Sequence, residues 1–351
     1  MNEAGNFSKK WIAIICIAIA GVGFVFYYQY YRMLQPSQRK GRNWYSEVRE
    51  GRWARDVESA ISQAPENPTG AVTMLNNVLA QVTDPGQKSV VDLTRANVTF
   101  LYIDKLRGAE SYAAVAVNKD YPPISRAYAM MVIVDQYNAL QDVNLLKPFF
   151  SEQDFSSEDS DTLLFQFYQK IYDTHPFGLA AGQLGIRYIR SVRTHNTITD
   201  QEYGEVVKYI TAIDKSLVEL ESADPMKTYI PVTLLTRARF FELLAEVNRL
   251  TPDSVSSSYL LAIARSRTLS ILSTEQFSIL FYANFLAKKK ENSGEVLRLL
   301  TVTAESPSST HPTVKGFLNS TERVKSFFPN LHTLIQEDSQ VRTAFQKLAT
   351  K

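Results

Sequence analysis

The side chains that most often carry chemistry are few in this sequence and stand far apart. Its four histidines lack the short spacing of metal-ligand pairs; they are His175, His195, His311 and His332. Two of them, His175 and His311, precede a proline, which favours a turn. The single cysteine, Cys16, lies inside an apolar stretch, so the rest of the chain has no thiol nucleophile and no disulfide. The sequence therefore predicts no metal site and no cysteine chemistry.

An acidic segment at residues 151–161 is a further candidate for metal binding. Calcium binds carboxylate oxygens, but the segment lacks the glycine and the regular oxygen spacing of an EF-hand loop. We expect a solvated loop followed by a helix N-cap. The sequence also contains no GxxxxGK[ST] or GxGxxG loop and no GxSxG turn, so we expect no cofactor. The acidic residues of the segment are Glu152, Asp154, Glu158, Asp159 and Asp161.

One further segment leaves an enzymatic alternative open. Residues 178–183, Gly-Leu-Ala-Ala-Gly-Gln, resemble in part the GLMQ-like turn of soluble lytic transglycosylases. That family combines a helical superhelix with a catalytic glutamate followed by serine. Here the Glu-Ser pairs are Glu221-Ser222 and Glu305-Ser306, which lie away from the expected position. The resemblance implies an envelope cell-wall hydrolase, as an alternative to the non-enzymatic function that we predict.

Residues 11–31 form an apolar stretch that no charged residue interrupts. A helix of about 20 residues crosses the hydrocarbon layer of a membrane, which is about 30 Å thick. Such a helix also satisfies its own backbone hydrogen bonds, as the bilayer interior requires. Aromatic residues at both ends are typical of membrane interfaces. We predict a single transmembrane helix in contact with lipid. Its anchoring residues are Trp11, Ile12, Phe24, Phe26, Tyr27, Tyr28 and Tyr31.

Two other interpretations of this stretch fit less well. The small residues of Ala18-Ile19-Ala20 resemble a signal-peptide cleavage site, but apolar residues continue as far as Phe26. A lipid-modified Cys16 would normally follow a small residue, and Ile15 precedes it. We therefore favour an uncleaved anchor.

The signals for orientation across the membrane conflict. Lys9 and Lys10 before the stretch favour a cytoplasmic N-terminus and an exported body. The basic residues that follow the stretch favour a cytoplasmic body; they are Arg32, Arg39, Lys40, Arg42 and Arg49. We expect export.

Composition indicates a folded body behind the apolar stretch. Apolar residues make up 45% of the chain and charged residues 21%, as in ordinary globular proteins. The formal net charge of +2 gives no reason to expect a nucleic-acid partner. The predicted organisation is a basic tail at 1–10, a transmembrane helix at 11–31, a juxtamembrane stalk or linker helix at 32–68 and a helical-repeat body at 69–351, with a candidate sub-boundary at 151–161.

Arginines and aromatic residues alternate in the juxtamembrane segment, residues 32–55. In one interpretation the segment contacts anionic lipid head groups. In the other it is a solvated helical stalk whose Trp53, Val57 and Ile61 dock on the first helical hairpin. The sequence does not decide between them.

Helix signals follow one another along the body and strand signals are almost absent, so we predict an all-α fold. Thr199 and Glu202 have the spacing of a capping box. One long helix is predicted over residues 87–107, with Gly108 as its C-terminal stop. Four small residues would allow another helix to approach closely; these are Ala180, Ala181, Gly182 and Gly185.

Residues 279–307 have the register of a tetratricopeptide repeat, with large, large, small and large residues on a first helix, then a second helix and a closing proline. The matching residues are Ile279, Tyr282, Ala283, Leu286, Leu299, Val302 and Pro307, and Glu295 stands where that family prefers alanine. A looser match runs through residues 93–122. On these residues the body resembles a degenerate tetratricopeptide-like solenoid of antiparallel helical hairpins. An irregular helical domain is the alternative.

The resemblance implies binding of a protein partner rather than catalysis. Such solenoids hold an extended peptide or a partner helix in a groove formed by the first helix of each hairpin. The candidate groove positions are then on residues 91–105 and 277–289. We predict a membrane-anchored scaffold or assembly factor of a bacterial cell-envelope complex. A helical subunit that mainly builds a larger assembly is a further alternative.

Overall fold

A computed structural model describes residues 52–140, 142–194, 196–222, 226–306 and 308–351. The predicted membrane stretch at 11–31, the basic tail and the first twenty residues of the predicted stalk lie outside these ranges. Within them, no helix is both long and apolar enough to cross a membrane. The described residues all belong to one compact unit.

The prediction of an all-α fold is confirmed for the described residues, which form seventeen α-helices and no strand. In chain order these are α1 (Arg52–Gln63), α2 (Pro68–Gln81), α3 (Pro85–Tyr102), α4 (Lys105–Val117), α5 (Pro123–Leu140), α6 (Glu152–Ser157), α7 (Ser160–Thr174), α8 (Gly178–Val192), α9 (Asp200–Ser222), α10 (Tyr229–Glu246), α11 (Pro252–Thr268), α12 (Leu272–Leu286), α13 (Ser293–Glu305), α14 (Pro312–Leu318), α15 (Thr321–Phe327), α16 (Pro329–Glu337) and α17 (Ser339–Thr350). Short 3₁₀ helices occupy Val143–Phe149, Met226–Thr228 and Lys290–Asn292.

Local capping chemistry sets several helix starts. The Asp84 carboxylate accepts a hydrogen bond from the backbone N–H of Gln87 at 2.9 Å and thereby starts α3. The predicted capping box before α9 is confirmed, because Thr199 Oγ1 accepts from Glu202 N and Glu202 Oε2 accepts from Thr199 N. These bonds satisfy backbone donors that the first turn of a helix leaves free.

The prediction of one helix over residues 87–107 with a stop at Gly108 is wrong. The helix α3 ends at Tyr102, and Asp104 caps the start of α4 by accepting from Arg107 N. Gly108 lies inside α4, where an added Cβ would stand 2.4 Å from the Cα of Phe100. The glycine therefore permits close contact between α3 and α4 rather than ending a helix.

Helices that are neighbours in sequence pack against each other along most of the chain, and the second half has a paired arrangement. The helix α10 packs against α8, α11 and α12. In addition, α8 packs against α9, and α12 packs against α13 and α16. The helices α8, α10 and α12 therefore lie side by side, each with its own partner helix in α9, α11 and α13. This arrangement is consistent with a helical solenoid.

The predicted close approach at the small residues of α8 is confirmed. An added Cβ on Gly182 would meet Thr236 at 2.5 Å, and one on Gly185 would meet the Phe240 ring at 2.5 Å. Ala180 and Ala181 are fully buried. The backbone of α8 thus lies directly against α10, which brings the exposed faces of the two helices next to each other.

The main hydrophobic core runs from Leu93 on α3 to Ala349 on α17. Leu146 and Leu163, on either side of the acidic segment, both belong to this core. In the described end of the predicted stalk, α1 buries Val57 against a smaller cluster with α2 and α3, whereas Ile61 stays 50% exposed. Trp53 and Val57 pack as the docking interpretation predicts, whereas its prediction for Ile61 is wrong.

Candidate functional site

A cavity of about 230 Å³ opens between α8, α10 and α12 and the turn that leads into α16. We call it the α8–α10–α12 groove. The residues that matter for its chemistry are Arg190, Arg239, Glu242, Phe281, Lys288 and Phe327. Each of the three side-by-side helices contributes to this lining.

Arg239 is the central cation of the groove. Its guanidinium lies 4.5 Å from the centre of the Phe281 ring, which is within cation–π range. Among the residues that the structure describes, none accepts a hydrogen bond from this guanidinium or forms an ion pair with it. Burial lowers the pKa of Arg239 from its usual value, Tyr259 and Glu242 oppose this effect, and Arg190 adds to it. Arg239 remains charged, because arginine does not deprotonate in proteins.

Arg190 supplies a second guanidinium from α8. Its side chain is exposed and makes neither a hydrogen bond nor an ion pair to any part of the chain described by the structure. It is close enough to Arg239 for the two like charges to interact. By contrast, Arg187 on the same helix stacks on Phe165 at 3.9 Å from the ring centre and does not line the groove.

Two glutamates of α10 connect the helices around the groove. Lys288 Nζ lies 2.7 Å from a carboxylate oxygen of both Glu242 and Glu246. Glu242 also accepts a hydrogen bond from the Tyr259 hydroxyl at 2.7 Å, and Glu246 accepts one from Arg193 at 3.0 Å. Arg193 follows α8 and Lys288 follows α12, so these carboxylates tie the ends of three neighbouring helices together.

Asn284 fixes the turn at the far wall of the groove. Its side-chain oxygen accepts hydrogen bonds from the backbone N–H groups of Asn330 at 3.0 Å and Leu331 at 3.1 Å. These are donors in the first turn of α16, which has no side-chain cap of its own. An amide on α12 therefore caps α16 and holds it against the groove.

Tyr168 and Asp135 extend the polar surface towards α7 and α5. The Tyr168 side chain interacts electrostatically with both Asp135 and Arg239, and burial raises its pKa. The Asp135 carboxylate accepts a hydrogen bond from the Tyr229 hydroxyl at 2.6 Å. Desolvation raises the pKa of Asp135 to about 6, and the Tyr229 hydrogen bond partly opposes this rise.

A neighbouring cavity of about 410 Å³ lies between α10, α11 and the segment after α12. It is larger, but its lysines already have carboxylate neighbours. Lys288 pairs there with Glu242 and Glu246, and Lys289 lies 3.7 Å from Glu291. The α8–α10–α12 groove differs because two of its cations, Arg190 and Arg239, form no ion pair with a described carboxylate, although Glu242 attracts Arg239. This groove is therefore the better candidate for binding.

The predicted repeat-packing residues fall into two groups. On α12, Ile279, Tyr282, Ala283 and Leu286 are all buried. On α13, Leu299 is half-buried and Val302 is 53% exposed, so Val302 does not fill the space between helices as the register predicted. The buried residues there are Val296, Leu300 and Thr303, each one position after the predicted Glu295, Leu299 and Val302. Pro307 lies outside the described residues.

A shift of one residue rotates α13 by about 100° about its axis. The physical reason is Glu295, which the predicted register would have turned inward. Its carboxylate instead lies at the surface and pairs with Arg298 at 2.6 and 2.8 Å. Burying that charge without a partner would cost more free energy than exposing Val302.

The other candidate positions are dispersed. Two ranges were predicted to form the groove. The range 277–289 contributes Phe281, Asn284 and Lys288 to the groove lining, whereas the range 91–105 contributes no residue. Residues 178–183, which resembled a catalytic turn, form the first turns of α8. In the acidic segment, the predicted N-cap is present, because Asp159 accepts hydrogen bonds from Asp161 N and Thr162 N and caps α7. The prediction of a loop is wrong for Glu152–Ser157, which forms α6.

The three described histidines stand apart from the groove lining. His175 lies 2.9 Å from the Glu219 carboxylate, His311 accepts from Thr313 N at the start of α14, and His332 lies beside Gln336. His195 lies outside the described residues. In the described ranges, no group of three or more histidine, aspartate or glutamate side chains is placed to hold a metal ion.

Sequence analysis did not identify Arg190 and Arg239. The three-residue spacing of Arg187 and Arg190 places both on one polar face of α8. The helix α10 is buried on several sides and gives no comparable signal for Arg239. No family model, curated protein or solved structure matches this chain.

Proposed function

We propose that this protein is a membrane-anchored scaffold or assembly factor that binds a segment of a partner protein in the α8–α10–α12 groove. The observation that carries the proposal is the pair of guanidinium groups, Arg190 and Arg239, which line a groove without a carboxylate partner among the described residues. Unpaired polar groups in a recess are typical of binding sites, because a ligand supplies the missing partner.

The helix arrangement supports a solenoid of the tetratricopeptide-like kind. In this proposal, α8, α10 and α12 correspond to the first helices of successive hairpins, and α9, α11 and α13 correspond to the second helices. The contacts between these helices are compatible with that assignment. In such a stack, neighbouring first helices share a continuous surface that can accept an extended segment or a helix. The groove lies on the surface that this architecture would use.

The charged connections around the groove favour a rigid site. Glu246 receives Arg193 from the end of α8 and Lys288 from the end of α12. A site that is already held in its binding geometry loses less conformational entropy when a partner binds.

The proposed anchor is the apolar stretch at residues 11–31, with the helical body on the extracytoplasmic side. Confinement to a membrane surface raises the effective concentration of partners that meet there. Protease treatment of intact cells tests the orientation. Digestion of the body from outside supports export, and full protection from outside contradicts it.

Site-specific photocrosslinking tests the binding face. A photoreactive phenylalanine analogue replaces Phe327, which lines the groove and is 50% exposed, or Val218 on α9, which is 62% exposed. The proposal predicts that a partner is crosslinked from Phe327 and not from Val218. The purified partner must then bind the full chain and lose affinity when Arg239→Gln is introduced. Equal crosslinking from both positions, or unchanged affinity of the variant, would contradict the proposal.

A further inference from the structure

The Arg239 guanidinium has free hydrogen-bonding capacity along its edges. A guanidinium carries five N–H donors in one plane, and stacking on an aromatic ring uses its face. The guanidinium carbon lies over the Phe281 ring, 4.5 Å from its centre, and no described residue accepts from the N–H donors. The edges are therefore available to a planar acceptor such as a carboxylate, which an arginine can bind through two parallel hydrogen bonds.

The electrostatic environment also favours an added anion. Arg239 is partly buried, and Arg190 brings a second positive charge close to it. Glu242 attracts Arg239 but forms no ion pair with it, so the cost of desolvating this cation is only partly offset, and the like charge of Arg190 increases that cost. One carboxylate placed between Arg190 and Arg239 would reduce both penalties.

The charge of the groove limits the size of that anion. Three cations line the groove, namely Arg190, Arg239 and Lys288. Two carboxylates, those of Glu242 and Glu246, also line it. The two glutamates would repel an extended polyanion such as a nucleic acid. Local attraction is thus confined to Arg190 and Arg239, which suits one or two carboxylates rather than a run of phosphates.

Aromatic surface stands beside the cations. Phe327 is 50% exposed at the groove, and Phe281 is half-buried next to Arg239. A volume of about 230 Å³ is smaller than the pockets of roughly 300–1,000 Å³ that hold drug-sized ligands. The space therefore suits a few side chains of a peptide.

We infer that the groove selects a peptide segment in which a glutamate or aspartate stands next to an apolar side chain. The carboxylate binds between Arg190 and Arg239, and the apolar side chain packs on Phe281 and Phe327. This inference rests on the proposed function, because it assigns the chemistry of the segment that the partner inserts into the same groove.

A peptide titration on the full chain in detergent micelles tests the inference. The probe is a capped Ala-Glu-Phe-Glu-Ala peptide, with Ala-Gln-Phe-Gln-Ala as its neutral counterpart and a phosphoserine peptide as a third probe. We expect the acidic peptide to bind at least tenfold more tightly than the neutral one at low salt, with the difference shrinking at high salt. Equal affinity of the acidic and neutral peptides overturns the inference, and so does tenfold tighter binding of the phosphoserine peptide.

Three variants locate the effect. Arg239→Gln and Arg190→Gln are each expected to reduce affinity for the acidic peptide at least tenfold and to abolish the preference over the neutral peptide. Arg187→Gln is the matched control on the same helix, expected to stay within twofold. Arg190 is exposed, so its variant reports on binding even if Arg239→Gln lowers stability.

The inference and the proposed function fail in different ways. If a partner crosslinks from Phe327 but the acidic peptide shows no preference, the carboxylate assignment is wrong and the binding face stands. If the acidic peptide binds with the predicted preference, and Arg187→Gln alone weakens it, the assignment to Arg190 and Arg239 is also wrong.

Discussion

The guanidinium of Arg239 on α10 lies 4.5 Å from the centre of the Phe281 ring on α12. A cation–π contact of this kind contributes about 0.5–2 kcal/mol. Full desolvation of an ion costs several kcal/mol even after relaxation. Arg239 is partly buried, and only the ring and the attraction of Glu242 offset its share of that cost. This imbalance is the physical reason to assign binding to the groove.

Lys288 is expected to be essential for the structure around the groove. Lys288→Ala would leave Glu242, whose side chain is only 14% exposed, and Glu246 without their shared ammonium group. We expect the free energy of unfolding to fall by about 1–3 kcal/mol, as when one partner of a partly buried charged pair is removed. Thermal melting followed by circular dichroism measures the change.

Lys289→Ala is the matched control for this prediction. The Lys289 side chain is 66% exposed, and its ammonium group lies 3.7 Å from the Glu291 carboxylate. Removal of such a surface pair is expected to change the free energy of unfolding by less than about 0.5 kcal/mol. Equal losses for the two lysine variants would contradict the assigned role of Lys288.

A glycine at the contact between α8 and α10 and a glycine on the exposed surface of α9 are expected to respond oppositely to substitution by alanine. Gly185→Ala would place a Cβ 2.5 Å from the buried Phe240 ring and is expected to destabilise the protein by about 1–3 kcal/mol. Gly204→Ala on α9 meets no atom within 4 Å and is expected to stabilise it by about 0.5–1 kcal/mol through helix propensity. Denaturant titration measures both, and stabilisation by Gly185→Ala would show that the two helices are further apart than described.

The tertiary cap of α16 can be tested by loss and rescue. Asn284→Ala removes the acceptor for Asn330 N and Leu331 N and is expected to cost about 1–2 kcal/mol. Asn284→Asp keeps an acceptor oxygen and adds a negative charge near a helix N-terminus, which is favourable. It should therefore retain most of the stability, and equal melting temperatures for the two variants would argue against the cap.

Asp135 predicts a pH-dependent stability difference. Desolvation raises its pKa from 3.8 to about 6, although the residue keeps a solvent-exposed side that limits this effect. The folded chain therefore holds this proton to higher pH than the unfolded chain does. The folded state therefore loses stability as the pH rises from about 4 to about 6. The groups that face the carboxyl are the Tyr229 hydroxyl, which donates to it, and Tyr168.

Asp135→Asn cannot ionise but can still accept the hydrogen bond from Tyr229. We expect the melting temperature of the variant minus that of the wild type to increase as the pH rises from 4 to 7. A difference that is constant over this range would contradict the raised pKa. The comparison at pH 4 serves as the internal reference, since both side chains are then mostly neutral in the folded state.

Local signals in the sequence were sufficient for the helical class and for several of its details. The Thr199–Glu202 capping box and the small residues of α8 depend on near neighbours or on residue size, and both predictions are confirmed. Gly108 shows the limit of such signals, because a glycine can end a helix or allow close packing. The Phe100 backbone, which decides between the two, becomes a neighbour only in the fold.

The groove depends on relationships that the spacing of residues does not encode. Phe281, Asn284 and Lys288 fell within a predicted groove helix, but Arg190 and Arg239 were not identified. Their proximity follows from the packing of α8 on α10 through glycine-sized gaps. A sequence shows that an arginine stands on a polar helix face, but the carboxylates within its reach are set by tertiary packing.

Hydrogen–deuterium exchange of the full chain, with and without the partner crosslinked from Phe327, tests the binding face most directly. We predict slower exchange on binding in Gly178–Val192, Tyr229–Glu246 and Leu272–Leu286, and unchanged exchange in the neighbouring helix Pro252–Thr268. Protection confined to Pro252–Thr268 or to Asp200–Ser222 would place the partner on the other helix layer and contradict the account.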